Sequence, residues 1–80
     1  MTKPNTSPEP RDHFAHCVQV FGGIPAASRR LGIDERAIRR FINGERPVSK
    51  GLLDDVAKAL GSLIAEAKSA EGHIVEVLGR

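Results

Sequence analysis

Eighty residues with 40% hydrophobic content make one small domain with a thin core, a size that often gains stability by oligomerising. The formal net charge is only +2, but six of the eight arginines lie between Arg29 and Arg46, opposed there by Asp34, Glu35 and Glu45 alone, which points to a polyanionic partner. A single cysteine excludes an internal disulfide, and no apolar run could span a bilayer or form a signal-peptide core, so a soluble cytoplasmic protein with no membrane partner is expected.

Residues 1–11 carry Pro4, Pro8 and Pro10 among small polar residues without hydrophobic period, the composition of a disordered tail. Lys3 and Arg11 could touch a DNA backbone from there, but solvated side chains are the simpler reading. Asp12 then suits an N-cap, and Phe14, Cys17, Val18 and Phe21 recur at helical spacing until Gly22-Gly23 ends a first helix. His13, His16 and Cys17 have metal-ligand spacing on one helix face. Only the distant His73 could add a ligand, however, and Cys17 lies on the apolar stripe, where a free cysteine behaves as a small hydrophobe. No metal or cofactor is expected.

The second helix opens at Ile24-Pro25, proline being favoured in a first turn. Ala26, Ala27 and Ser28 are small enough for close helix approach. Leu31 anchors the end, Gly32 can take the positive φ of a tight turn, and Ile33 plugs the angle. Asp34 caps a third helix, with Glu35 at its positive end, and Asn43-Gly44 close it. At about 100° per residue, Ala37, Ile38, Phe41 and Ile42 share one arc, while Glu35, Arg36, Arg39, Arg40 and Asn43 fill a separate one. An apolar back and a front rich in long donors is what a DNA major groove accepts.

After a polar loop of Glu45, Arg46 and Pro47, Ser49 caps a fourth helix. Its apolar positions are Leu52, Leu53, Val56, Ala57 and Leu60, then Leu63, Ile64, Ala67 and Ala70. All fall within roughly 140° of the helix wheel. The phase survives Gly61-Ser62, which predicts one helix from Ser49 to Ala70, about 30 Å long. A three-helix head cannot cover that length, so from Leu63 onward another apolar surface is needed, and a second copy of the chain supplies it most simply. In His73–Leu78 the β-branched residues favour a short strand, while Ile74, Val75 and Leu78 also continue the helical phase. The expected organisation is a tail (1–11), a DNA-binding head (12–48), and a dimerisation segment (49–80) using Leu63, Ile64, Ala67, Ile74, Val75, Val77 and Leu78.

Phe21 to Leu53 resembles the helix-turn-helix of Cro and CI-type phage repressors. The likeness rests on Ala27 and Ser28, Leu31-Gly32-Ile33, Ile38, Phe41, and Asn43-Gly44. Serine at 28 stands where that family more often has alanine. Residues 29–56 are also similar to small phage and mobile-element autoregulators, including those encoded beside anti-CRISPR genes. The resemblance implies an all-α, lambda-repressor-like helix-turn-helix bundle of four helices, with a short C-terminal strand or extended tail as an addition. It also implies that the third helix lies in the major groove.

On that basis Arg36 and Arg40, one turn apart, are candidates for bidentate contacts to guanine, with Arg39 beside them. Glu35 either accepts from cytosine N4 or pairs with Arg39 and orients it. Asn43 reads adenine or touches a phosphate. Arg46, Lys50 and the helix N-terminus at Gly23 and Ile24 would anchor the DNA backbone, and Arg29 and Arg30 divide evenly between phosphate contacts and solubility. The implied function is a homodimeric repressor on an inverted repeat of double-stranded DNA, acting by promoter occlusion on its own operon. The rival expectation is a protein-binding module, an antitoxin or anti-defence factor acting through the long C-terminal helix. RNA readers commonly use aromatic stacking platforms, and this chain has three Phe and no Tyr or Trp. No phosphate loop, carboxylate pair or nucleophile elbow suggests an enzyme.

Overall fold

A computed structural model describes residues 10–79. The chain forms four helices, α1 (Pro10–Phe21), α2 (Ile24–Leu31), α3 (Glu35–Ile42) and α4 (Lys50–Leu78), with no strand among the described residues. This is the expected all-α bundle, and two boundaries differ from the sequence reading. The first helix begins at Pro10 rather than behind an Asp12 cap. Proline loses no hydrogen bond in a first turn, and Asp12 now sits inside that turn with its carboxylate near the positive helix end. Arg11 therefore belongs to α1, and the rest of the expected tail, residues 1–9, lies outside the described residues.

The second difference is at the other end. α4 runs 29 residues, about 43 Å, through Gly72 and the β-branched segment, and Gly79 ends it by donating to the carbonyls of Val75 and Glu76. Of the strand and the helix that the sequence leaves open for residues 73–78, the structure has the helix. A lone strand here would leave its backbone groups without a ladder partner, whereas a helix satisfies them within the segment. The N-terminal end of α4 is capped as expected, with Ser49 Oγ accepting from the Leu52 N–H at 3.0 Å.

The core is small. Phe14, Val18 and Phe21 of α1, Ala27 of α2, Ile38 of α3, and Leu52 and Val56 of α4 are buried. Phe14 meets Phe41 edge-on, with ring centroids 5.5 Å apart and planes at 63°. Between α2 and α3, Gly32 adopts φ 68° and donates to the Ser28 carbonyl, while Ser28 Oγ donates back to the Ile33 carbonyl. The hydroxyl that distinguishes Ser28 from alanine thus ties the turn shut.

The apolar stripe of α4 divides rather than facing one way. Leu52, Val56, Leu60 and Leu63 pack on the head, joined by Ala59, while Ala57, Ile64, Ala67 and Ala70 are exposed. Three short helices cover only the first turns of one face, and Leu63 is the last residue of α4 packed against the core. Leu63 is therefore a core contact, not a free dimerisation residue.

Candidate nucleic-acid interface

α3 presents two chemistries because its back is fixed. Ile38 is fully buried and Phe41 and Ile42 are half-buried, which turns Arg36, Arg39, Arg40 and Asn43 outward. Glu35 Oε1 accepts from Arg39 Nη2 at 3.4 Å, the i,i+4 geometry in which the carboxylate orients the arginine. Arg36 and Arg40 take part in none of the ion pairs among the described residues, so their guanidinium groups are uncommitted.

The C-terminal end of α3 gathers further basic groups. The N–H groups of Glu45 and Arg46 both donate to the Arg40 carbonyl, wrapping the loop back over the helix end. That places the Arg46 guanidinium 5.3 Å from the centre of the Phe41 ring, a cation–π contact that restrains its direction. Arg11 joins them from α1, its guanidinium lying against Gly44. The sequence reading weighs Arg11 as a backbone contact but places it in a solvated tail, whereas the structure has it in α1. The available signal was phase: Arg11 stands three residues before Phe14 and seven before Val18, on the face that α1 buries.

Gly44 carries φ 81°, and a Cβ there would collide with the end of the Arg11 side chain. Arg11 is flexible enough to move aside, so the larger penalty is the left-handed backbone. Gly44→Ala should cost about 1–2 kcal/mol in chemical denaturation.

The remaining sequence candidates separate. Lys50 and Arg29 are exposed. The Gly23 N–H donates to the Val18 carbonyl at 2.9 Å, so Gly23 has no free donor, and Ile24 stands alone at the opening of α2. Arg30 turns to α4 and grips Glu66 with two hydrogen bonds, Nη1 to Oε2 at 2.9 Å and Nη2 to Oε1 at 2.7 Å. Its side chain is only 26% exposed, which makes it a strut between α2 and α4 rather than a phosphate contact.

The hydrogen bonds from Arg30, and then its charge, hold the Glu66 carboxyl below its ordinary range against a smaller opposing effect of burial. A depressed carboxyl stabilises the fold above its unfolded value, near pH 4.3, and loses that contribution as pH falls through the folded value. Glu66→Gln should therefore lower stability at pH 7, with the gap to the parent chain closing in urea titrations toward pH 3.

Cys17 packs on the core while His13 and His16 face outward. Among the described residues no three His, Cys, Asp or Glu side chains converge to hold a metal. No helix among them is long and apolar enough to cross a membrane. No family model matches the chain, and no curated protein or solved structure matches it either.

Proposed function

We propose that this chain is a sequence-specific double-stranded DNA-binding repressor of the Cro and CI type. It would bind an inverted repeat as a homodimer and occlude a promoter, its own operon's included, in the cytoplasm of a bacterial or phage-infected cell. The observation that carries this reading is the division of α3: Ile38 is sealed in the core while Arg36 and Arg40 stand exposed and uncommitted. Arginine in that setting offers a planar fork matched to guanine O6 and N7. Arg46, restrained over Phe41, and Arg11 beside Gly44 suit the phosphates bordering the groove.

Selection of binding sites from random double-stranded DNA tests this directly. An enriched inverted repeat with half-site centres about one helical turn apart is the expected result. Binding without any enriched sequence would reduce the protein to a non-specific polyanion binder. Arg46→Ala should weaken binding to every sequence alike and lower the salt slope by about 0.9, measured by anisotropy across a salt series.

A further inference from the structure

α4 carries a second pattern that the reading head uses only in part. Its stripe begins at Leu53, Ala57, Leu60 and Ile64, and continues through Ala67, Glu71, Ile74 and Leu78; Leu53 and Leu60 are half-buried, Leu60 against the head, and the rest are exposed. The intervals are 4, 3, 4, 3, 4, 3 and 4, the heptad period of a coiled-coil seam, sustained over about 38 Å. Along it Ile64, Ile74 and Leu78 are 60%, 59% and 57% exposed in the single chain. Val75 and Val77 flank this seam rather than lying on it.

The order of large and small residues indicates what covers the stripe. Laid parallel on a second copy, the seam would set Ala57 on Ala57 and Ala67 on Ala67, leaving gaps, and would bring two Glu71 carboxylates together. Laid antiparallel about the midpoint between Ile64 and Ala67, the alanine layers are filled and the two Glu71 carboxylates are separated. Ile64 meets Ala67 of the second copy, Ala57 meets Ile74, and Leu53 meets Leu78, so large faces small or closes an end. Glu71 then meets Leu60, beside Gly61, where a Cβ would touch nothing in the single chain. That open position leaves the carboxylate a path to water.

We infer that two copies pair through α4 as an antiparallel two-stranded coiled coil in this register. This rests on the proposed homodimer and adds its orientation. Val56, buried at the centre of each head's contact with α4, falls opposite residue 75 of the second copy. The heads then stand about 28 Å apart along the coil, related by a perpendicular two-fold axis.

The test uses full-length chains carrying Cys17→Ala, one with Leu53→Cys and one with Leu78→Cys, oxidised separately and mixed. A disulfide-linked heterodimer formed only in the mixture is expected. Self-linking of Leu53→Cys alone would show a parallel seam and overturn the inference. A dimeric mass without the mixed product would place the interface elsewhere, and a monomeric mass by light scattering, or occupancy of α4 by a different protein, would also overturn it. Ile64→Asp, exposed in the single chain, should weaken the dimer about tenfold or more by sedimentation without loss of helicity. Site selection on the same samples keeps the two ideas apart. A monomer that still enriches a sequence removes only the seam, and a correctly linked dimer that binds no DNA removes only the repressor reading.

Discussion

Phe14→Ala is expected to leave much of the protein unfolded at 37 °C. Truncating a buried phenylalanine to alanine typically costs about 3–5 kcal/mol, through lost transfer energy and the cavity left behind. A single core in a chain of this size supplies a total stability of about the same magnitude. Phe14 is fully buried, and its loss also removes the edge-on contact with Phe41. Because Phe41 in turn carries Arg46, the damage should reach the candidate interface as well. The thermal midpoint should fall by roughly 15–30 °C, followed by circular dichroism at fixed protein concentration. Val20→Ala, at a half-exposed position of the same helix, should change stability by no more than about 0.5 kcal/mol. Equal effects of the two substitutions would mean that α1 does not dock by the Phe14 face.

Arg40→Ala should leave the fold intact and cost about 1–3 kcal/mol on the selected DNA site, roughly 5- to 150-fold in affinity. Its side chain is exposed and enters no ion pair among the described residues, so its removal orphans nothing in the free protein. The diagnostic quantity is discrimination. Preference should relax at one base position, measured by anisotropy on the selected site and its single-base variants. An equal loss on every sequence would assign Arg40 to the phosphate backbone instead. Arg39→Ala should have the smaller effect, since Glu35 already engages that guanidinium.

The helices were legible in the sequence where local chemistry and apolar phase agreed. Pro25, Gly32 and Ser49 mark ends that the structure keeps, and the arc of Ala37, Ile38, Phe41 and Ile42 is the one α3 turns inward. Two features resisted because they depend on tertiary placement. Arg30 and Glu66 stand 36 residues apart, so no local pattern could show that one grips the other. The stripe of α4 looked like a single surface because its two arcs adjoin on the wheel. Only the size of the head determines that Leu63 packs inward while Ile64 does not. Arg11 was misplaced for a simpler reason: three prolines suggested a tail, and the last of them begins a helix.

The length of α4 beyond Leu63 has a consequence for amide hydrogen exchange. Residues 64–78 form about four turns that add no side chain to the core and are tied to the head through the Arg30–Glu66 pair near their start, and isolated helices of that length are marginal in water. Their amides should exchange through local opening, with protection far below that of Val18 or Ile38, which open only when the whole domain does. Under the proposed pairing of two copies through α4, protection of this segment should rise with protein concentration while that of the head stays nearly constant, so the two ends of one continuous helix would belong to different cooperative units.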